Sequence, residues 1–506
     1  MASLIPFLVS CKGPVQVHRP LLGEIHPGEV SWLDSEIPAT WEPSAKPFFL
    51  FFTSRRSFWS RAMVQESFTD AEIVREIEAL TWPVWIDADL RPDLVDQFSL
   101  GSLPSLAILT PDMRWVTGTT YMDREDVSAL LRRIRILYDI PERQVDLERE
   151  RTRLLIRRPY QFGHFAQSME PEELSKTLID RLRRSDVYAR SFDSQILLAD
   201  AGFEDQTQEW LDVQADRRLL NDQGLFVNAL LTDDGLIRDE VASLGHNAGL
   251  LYAMSWFADK NNDTNLKVRA YKLAQALIAV LYDQERGTFF AGTADFSFPD
   301  STGVPHQVTA NPALLDGRTV TAWNALMVSS LLQVARFRSD DPRFGGVISA
   351  TLDHLVADCV SDDIVYRTDS RKNTPTLEDA AFLVRACLDY SEWSGDMNYK
   401  RRAGELSTRA IGEFLPDSNY TELAGNLDSG GLNVDPVGTD GDYGSATGTF
   451  AHSLVRLSQL SGNDAFLDQA LKINRRAIFN DIERLPRLGA VGRALLEYVR
   501  YQRTRN

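Results

Sequence analysis

The chain has 506 residues, of which 43% are hydrophobic and 25% charged. This is the composition of a folded protein, and it excludes a disordered or fibrous chain. Its 54 basic and 72 acidic side chains leave a net charge of −18, which opposes binding to the phosphates of nucleic acids. At roughly 150 residues per domain, the length predicts two or three domains.

Cysteine content and apolar runs indicate the compartment. The three cysteines, Cys11, Cys359 and Cys387, are too few and too scattered for a disulfide framework or a zinc site. No segment reaches about eighteen uninterrupted apolar residues, so we expect no membrane-spanning helix. The short apolar run at 1–11 is broken by Pro6 and has no basic residue before it, which argues against a secretory signal. We therefore predict a cytoplasmic protein that holds no metal and no cofactor.

Strand and helix patterns alternate between residues 46 and 138. The apolar run 47–52 has the length of a strand covered on both faces, a helix should follow it, and the runs 81–87 and 105–109 predict further strands. Asp123 can cap a helix whose apolar side chains form one stripe. That stripe consists of Val127, Leu130, Leu131, Ile134 and Leu137. The predicted order is strand, helix, strand, strand, helix.

The densely charged segment 141–159 predicts a solvated helix or linker. Beyond it, segments with the 3.6-residue period of helices predominate. Polar turns divide them at intervals that suit a helical hairpin with a long loop, at 259–263, 339–341, 394–396 and 461–464. Because neighbouring hairpins must stack to bury their apolar faces, and closure removes exposed ends, we expect residues 160–503 to form an all-α (α/α)6 toroid.

Several motifs occur in the same order as in a known family. In the first part they are 63–68, Asp87, 91–93, 101–104 and 109–112; in the second they are 315–318, 321–327 and 377–382. With them, most of residues 28–480 resembles the spermatogenesis-associated protein 20 family. The resemblance implies an α/β thioredoxin-like domain at 28–140, joined to the (α/α)6 barrel found in sugar epimerases and six-hairpin glycosidases.

The chain departs from that family at the redox loop. Where the family has Cys-x-x-Cys, this sequence has Ser57, Phe58, Trp59 and Ser60. A hydroxyl with no activated base nearby cannot replace a thiolate in disulfide exchange, so we predict a redox-inactive domain. Pro104 stands where thioredoxin-like folds place a cis-proline beside the active loop, which is a feature of shape rather than of catalysis.

Three arginines, Arg55, Arg56 and Arg61, surround the aromatic residues of this loop. Guanidinium groups beside aromatic rings suit an anionic or aromatic group of a protein partner. The structural alternative is a solvated helix start followed by core aromatic residues. Both interpretations are compatible with the sequence.

In an α/α toroid the inner helices are parallel, so their first residues gather at one mouth. Polar and aromatic residues at the predicted helix starts, or just before one, are Asp316, Arg318, His246, Asn247, Trp323, Asn324, Glu378, Asp379, Ser445 and Thr447. An aromatic face suits the apolar side of a sugar ring and polar groups suit its hydroxyls, which predicts a small carbohydrate or related polar ligand. Trp323 can equally be a core aromatic residue.

Three of these residues are candidates for catalysis. His246 could carry a proton, and Glu378 or Asp379 could act as acid, base or hydroxyl anchor. Because adjacent residues lie about 100° apart around a helix, the two carboxylates cannot be the opposed pair of a glycosidase, and Asp316 would have to supply the second acid. The structural alternatives are a capping box of Thr376 with Asp379 and a hydrogen-bonding role for His246.

The functional expectation is a redox-inactive thioredoxin-like protein whose barrel binds or processes carbohydrate, as epimerases and glycosidases do. The alternative is a non-enzymatic adaptor or assembly factor. The missing thiols and the lack of a clear acid–base pair favour this alternative. His354 and His452 fall on helical segments and are interpreted as packed residues or cavity liners.

Overall fold

The computed structural model describes residues 25, 27–34, 46–100, 103–110, 115–139, 169–185, 191–214, 220–227, 229–232, 235–238, 241–294, 314–415, 440–441, 443–481 and 487–505. The charged segment 141–159, predicted to link two domains, lies outside these residues. The described part of the chain consists of an N-terminal sheet with its helices and a larger, mainly helical region.

A five-stranded mixed sheet forms the N-terminal part, called the sheet domain below. Its strands are β1 (Leu33–Asp34), β2 (Phe48–Thr53), β3 (Trp82–Asp87), β4 (Ser105–Leu109) and β5 (Trp115–Thr119). They lie in the order β1-β3-β2-β4-β5. Strands β1 and β2 are parallel to β3, whereas β4 is antiparallel to β2 and β5. The three apolar runs predicted as strands are therefore confirmed.

Four helices cover both faces of this sheet: α1 (Phe58–Ser67), α2 (Ala71–Leu80), α3 (Pro92–Phe98) and α4 (Arg124–Asp139). Phe49 and Phe51 of β2 pack in one core with α1, α2 and α4, whereas Leu50 packs in a second core with α3. Every residue of β2 is buried, because alternate side chains enter opposite cores. Asp123 accepts a hydrogen bond from the Asp126 backbone N–H at 2.9 Å, which confirms its predicted capping role.

The described helical region contains twelve helices. They are α5 (Pro171–Arg183), α6 (Phe192–Asp200), α7 (Glu204–Gln214), α8 (Leu244–Lys260), α9 (Thr264–Leu281), α10 (Thr321–Phe337), α11 (Arg343–Asp358), α12 (Leu377–Ser394), α13 (Met397–Phe414), α14 (Ala446–Ser461), α15 (Asp464–Asp481) and α16 (Gly489–Arg505). All four predicted polar turns join the two helices of a hairpin.

These helices form a closed double ring, called the helical ring below. The inner helices α6, α8, α10, α12, α14 and α16 contact one another in that order, and α16 contacts α6 again. Helices α7, α9, α11, α13 and α15 each pack outside the inner helix that precedes them, while α5 packs on α16. Inner helices α10 and α12 are buried on almost all sides, since they face both the lumen and the outer layer. The predicted α/α toroid is thus present.

Short strands that the periodicity did not predict lie in the connecting segments of the ring. They are β6 (Ala229–Thr232), β7 (Gly235–Arg238), β8 (Ala242–Ser243), β9 (Tyr282–Asp283), β10 (Thr288–Phe289), β11 (Gly292–Ala294), β12 (Leu314–Asp316), β13 (Val360–Ser361) and β14 (Ile364–Val365). Strands β8, β11 and β12 form one small sheet directly before α8 and α10, which fixes where those two inner helices begin.

Glycines allow the close approach of helices where the ring closes. A Cβ atom on Gly489, at the start of α16, would lie 1.9 Å from the backbone nitrogen of Ser194 in α6. A Cβ atom on Gly448 in α14 would lie 2.4 Å from the backbone nitrogen of Val491 in α16. Both contacts are with backbone atoms, so neither position has room for a side chain.

Two further observations concern the cysteines and membranes. Cys359 and Cys387 are buried and unpaired, and burial raises the pKa of each thiol to about 12. Of the helices that the structure describes, none has the length and apolar character needed to cross a bilayer.

Candidate functional site

The first residues of the inner helices meet at one end of the helical ring, called the mouth below. The indole N–H of Trp323, in the first turn of α10, donates to the Tyr443 hydroxyl at 2.7 Å. That hydroxyl donates to Glu378 Oε1, in the first turn of α12, at 2.9 Å. A Cβ atom on Gly245 of α8 would lie 3.0 Å from the Tyr443 ring and 3.1 Å from Trp323. The predicted site residues Trp323 and Glu378 therefore lie together, around a tyrosine that sequence reasoning missed.

Arg367 binds both candidate carboxylates. Its Nη1 donates to Glu378 Oε1 at 2.8 Å and to Asp379 Oδ1 at 3.0 Å, and its side chain has no exposed surface. Burial raises the pKa of Glu378, against the opposing effect of the Arg367 charge. Both bonds to Glu378 use Oε1; Oε2 accepts no hydrogen bond from a described residue. Glu378 therefore combines a fixed oxygen with one that is left for a ligand.

Asp379 has a structural role. Its Oδ2 accepts from the Thr376 hydroxyl at 2.7 Å, and its Oδ1 accepts from the Ala322 backbone N–H at 3.0 Å. The Thr376 oxygen in turn caps α12 by accepting from the Asp379 backbone N–H. Both carboxylate oxygens are thus used to join the starts of α10 and α12. The capping alternative is consistent with the contacts of Asp379, and its catalytic role stays a prediction.

The side-chain amides of Asn247 and Asn324 bind the backbone of neighbouring segments. Each is the fourth residue of its inner helix and is fully buried. The Asn247 amide accepts from the Phe226 N–H at 2.9 Å and donates to the Phe226 carbonyl at 2.8 Å. The Asn324 amide pairs in the same way with Phe289, at 2.7 and 3.0 Å. Both amides thus bind neighbouring backbone in the structure, and their part in ligand binding stays a prediction.

The remaining predicted mouth residues are placed as follows. Ser445 caps α14 by accepting from the Gly448 N–H at 2.8 Å, and Thr447 is buried in the first turn of that helix. His246, in the first turn of α8, is half-buried and packs edge-on against Phe192 at 5.5 Å between ring centroids. Ser445 thus stabilises its helix, and His246 remains a candidate at the mouth.

Asp316 and Arg318 join the helical ring to the sheet domain. Arg318 Nη1 binds Asp87 Oδ2 at 2.8 Å, and its Nη2 binds Asp89 Oδ2 at 2.7 Å and Asp316 Oδ2 at 2.5 Å. Arg56 Nη2 binds the other oxygen of Asp89 at 2.9 Å. We call these five residues the interdomain ion cluster. Asp316, expected to supply a second acid, has a side chain that is 1% exposed and bound to Arg318, so its place in the structure gives that role no support.

The pKa of Asp87 in this cluster predicts a pH effect. Burial raises it to about 6, against the charge of Arg318, whereas an unfolded aspartate titrates near 3.9. The folded state therefore binds the proton more tightly, and its stability falls as pH rises from about 4 to about 6. Asp87→Asn should remove this loss. As pH rises from 4 to 7, the thermal midpoint of the variant should therefore increase relative to that of the wild type.

The matched control for Asp87→Asn is Asp70→Asn. A hydrogen bond from the Ile73 backbone lowers the pKa of Asp70, so its ionised form stabilises the fold above about pH 4 and this contribution is lost in acid. Asp70→Asn should therefore lose stability relative to the wild type as pH rises toward about 4, and the difference between the two thermal midpoints should stay nearly constant between pH 4 and pH 7. If the thermal midpoints of the wild type and of Asp87→Asn changed with pH in the same way, the prediction would be contradicted.

Residues 57–60, predicted to replace a redox motif, form the start of helix α1. Ser57 caps α1 by accepting from the Ser60 N–H at 3.1 Å, and Ser60 is fully buried. Trp59 is 40% exposed and packs against Tyr121 at 5.1 Å. The Leu103–Pro104 bond is cis, as predicted, and Pro104 is buried. The side chain of Phe58 lies outside the described residues.

The three arginines of this loop do not share one surface. Arg56 is 6% exposed and faces the helical ring, so it is not part of an exterior partner-binding surface. Arg61 donates to the Arg55 carbonyl at 2.9 Å. Its pKa is lowered by burial and by the neighbouring Arg55 charge. The expected arginine surface is corrected accordingly, with Trp59 as the exposed aromatic residue of the loop.

A second carboxylate lies at the mouth, and sequence reasoning missed it. Asp193 is in the first turn of α6, which is three places from α12 around the six inner helices and so opposite it. A Cβ atom on Gly444 would lie 2.7 Å from Asp193 Oδ2. Since Glu378 contacts Tyr443, both carboxylates lie next to residues 443–444. Asp193 Oδ1 is paired with Arg493.

Asp440 fixes the neighbouring helix starts. It accepts from the Ser191 hydroxyl and from the backbone N–H groups of Gly489 and Ala490, the latter two at 2.8 and 3.1 Å. It thereby joins the starts of α6 and α16. Among the described residues, no group of three or more His, Cys, Asp and Glu side chains is arranged to hold a metal ion.

No protein-family model and no curated protein matches the chain. Solved structures do resemble it at low identity. A cellobiose 2-epimerase from Bacillus thermoamylovorans is 12% identical with a TM-score of 0.41, over 58% of this chain and 74% of its own. A GH76 α-mannanase from Bacteroides thetaiotaomicron is 12% identical with a TM-score of 0.43, over 63% and 85%. An unsaturated glucuronyl hydrolase from Bacillus sp. GL1 is 13% identical with a TM-score of 0.42, over 63% and 87%. Likeness at this level does not decide what this chain does.

Proposed function

We propose that the mouth of the helical ring binds and processes a carbohydrate, by isomerisation, epimerisation or hydrolysis. One observation carries the proposal: Glu378 has one oxygen fixed by Arg367 and Tyr443 and one oxygen that no described residue binds, and Tyr443 links it to Trp323. Trp323 is 4% exposed, so the polar groups beside it carry the proposal: a positioned acid with a second oxygen suits the hydroxyls of a sugar.

The proposed roles follow from the geometry of the mouth. Burial raises the pKa of Glu378, which favours a protonated carboxyl that can act as a general acid. Asp193 supplies the opposed carboxylate that Asp379 and Asp316 cannot supply. His246, in the turn of α8 that contacts Tyr443 through Gly245, is the proposed proton carrier. Tyr443 positions Glu378.

We further propose that the sheet domain is thioredoxin-like and redox-inactive, and that the chain is a divergent member of the family it resembles. Support comes from the strand order β1-β3-β2-β4-β5, with helices on both faces and a cis-proline before β4. Ser57 and Ser60 serve as helix cap and core residue. Their hydroxyls cannot form the disulfide that such chemistry requires.

Glu378→Gln tests the proposed function. A panel of neutral mono- and disaccharides should raise the thermal midpoint of the wild type, because a ligand that binds only the folded state stabilises it. For any sugar that the wild type converts, the variant should lose about 10²- to 10⁴-fold in turnover, the usual contribution of a general acid. Glu413→Gln on outer helix α13, whose carboxylate pairs with Arg409, is the matched control and should match the wild type. Equal turnover by Glu378→Gln would refute the assigned role.

A non-enzymatic adaptor is the second candidate function. The observation that favours it is the exposure of Trp59 at the helix start, where a thioredoxin-like fold presents its working loop. A stoichiometric protein that co-purifies with the wild type, but is lost with Trp59→Ala, would support this candidate. Retention of that protein by Trp59→Ala would contradict it.

A further inference from the structure

Two buried guanidinium groups flank the indole of Trp323, and they come from different domains. Arg56 of the sheet domain places its Cζ 5.3 Å from the ring centroid, and Arg367 of the helical ring places its Cζ at 5.7 Å. Arg56 is 6% exposed and Arg367 has no exposed surface. The candidate sugar platform is therefore bordered by cations from both parts of the chain.

Each of these arginines retains one buried N–H without a hydrogen-bond partner among the described residues: Arg56 Nε and Arg367 Nη2. The carboxylate oxygen paired with Arg56 Nε, Asp316 Oδ2, lies at 3.7 Å, which is too long for a hydrogen bond. A buried donor left unpaired is unfavourable, so native proteins almost always give it a partner. The two groups therefore call for an oxygen that the protein does not supply.

Both guanidinium groups are held by the same residue. Arg56 Nη2 donates to Asp89 Oδ1 at 2.9 Å, and Arg367 Nε donates to the Asp89 backbone carbonyl at 2.8 Å. Because Asp89 follows strand β3, the sheet fixes both arginines beside Trp323. Their free N–H groups are thus preorganised rather than mobile.

The charge around this position selects the kind of oxygen that can bind. When Glu378 carries the proton that its proposed role requires, the carboxylates of Asp87, Asp89, Asp316 and Asp379 face the three guanidinium groups of Arg56, Arg318 and Arg367, which leaves one negative charge in excess. An added anion would increase this excess in a place with little water to screen it. A hydroxyl or carbonyl oxygen can accept both N–H groups without that penalty.

We propose that the ligand is an uncharged sugar and that Arg56 of the sheet domain binds one of its oxygens together with Arg367. The proposal rests on the proposed function and adds the charge of the ligand and a residue from the second domain. One oxygen of the sugar accepts from the two arginines beside the buried Trp323, and another accepts the proton that Glu378 Oε2 donates. The sheet domain thus completes the site that the helical ring begins.

The test on the wild-type full chain compares sugars that differ only in charge. Glucose and galactose are paired with glucuronate and galacturonate, and with their 6-phosphates, in calorimetric titrations at one ionic strength. We expect a neutral sugar to bind at least about tenfold more tightly than its acidic counterparts. Acidic sugars that bind as tightly as the neutral ones, or more tightly, would overturn the inference and leave the proposed function standing. Binding by no member of the panel would instead refute the proposed function.

The role of Arg56 is tested by Arg56→Gln against Ser54→Ala. The Ser54 hydroxyl also donates to Asp89, at 2.9 Å, so Ser54→Ala removes a second hydrogen bond from the carboxylate that holds Arg56 and leaves both arginines in place. Arg56→Gln should weaken binding of the neutral sugar about tenfold, and Ser54→Ala should leave it within twofold of wild type. Circular dichroism and the thermal midpoint establish that each variant is folded. Equal weakening by both variants would assign Arg56 to domain contact alone and overturn its role in binding.

Discussion

Replacing Arg367 by methionine should lower the free energy of unfolding by about 3–5 kcal/mol. The side chain is fully buried and binds Glu378, Asp379 and the backbone carbonyl of Asp89. Methionine fills much of the same space but leaves two carboxylates in a poorly hydrated site without their cation. The penalty of removing one partner from a buried pair is large for this reason.

Urea unfolding, followed by tryptophan fluorescence and by circular dichroism, measures the Arg367→Met effect, and two probes are needed because two domains need not unfold together. Arg409→Met is the matched control, since Arg409 pairs with Glu413 on the exposed side of α13 and such pairs contribute less than about 1 kcal/mol. The double variant Arg367→Met, Glu378→Gln should recover part of the loss because it removes one stranded charge. An unchanged midpoint for Arg367→Met would contradict the assigned role.

Among glycine-to-alanine changes in the described part of the helical ring, Gly489→Ala should be the most destabilising. We expect the free energy of unfolding to fall by more than about 4 kcal/mol, or no folded protein to be obtained. The added Cβ would stand 1.9 Å from the Ser194 nitrogen and 2.3 Å from the Asp193 carbonyl carbon. Both are backbone atoms of α6, so relief requires the two helices to separate where the ring closes. The expected observation is loss of the thermal transition, or of soluble protein.

Gly412→Ala provides the contrast. Gly412 lies on the exposed side of outer helix α13, and nothing lies within 4 Å of an added Cβ atom. The same substitution there should stabilise by up to about 1 kcal/mol, because alanine favours the helix and restricts the unfolded chain. A Gly489→Ala protein with a midpoint like that of Gly412→Ala would show that the close packing of α6 on α16 is wrong.

Elements with a local signal could be predicted from the sequence. The continuous apolar run of β2 indicates a strand buried on both faces, and the stripe behind Asp123 indicates a capped helix; both occur as predicted. The polar turns between inner and outer helices, such as 394–396, are equally local. The cap formed by Thr376 and Asp379 is also local, because the two residues are three positions apart. The sequence therefore indicates capping as an alternative to catalysis for Asp379.

The roles of the mouth residues could not be predicted, because their partners are remote in sequence. Arg318 binds Asp87 and Asp89, which precede it by 231 and 229 positions. Trp323 meets Tyr443 across 120 positions. A sequence pattern identifies a residue as polar and near a helix start, but it does not show whether a distant carbonyl or carboxylate already uses its hydrogen bonds. Asp316 was assigned a catalytic part for this reason.

Asn247 and Asn324 also have partners that are remote in sequence, but their repeated position in two hairpins is a pattern that the sequence does show. Both stand at the fourth position of an inner helix, and both hold the backbone of a segment that precedes their helix. An amide offers a donor and an acceptor side by side, which matches the donor and acceptor of one backbone residue. Recurrence of asparagine at equivalent positions of two hairpins is the pattern of a repeated structural joint, and it could have been found by aligning the hairpins.

The pairing of α5 with α16 has a consequence for biosynthesis. A ribosome adds roughly 300 residues between these two helices, which at 5–20 residues per second takes roughly 15–60 s. Throughout that interval the growing hairpins form an open arc whose last helix has an uncovered apolar flank. Because an exposed apolar flank favours association with other chains, we expect the incomplete ring to depend on chaperones until α16 emerges.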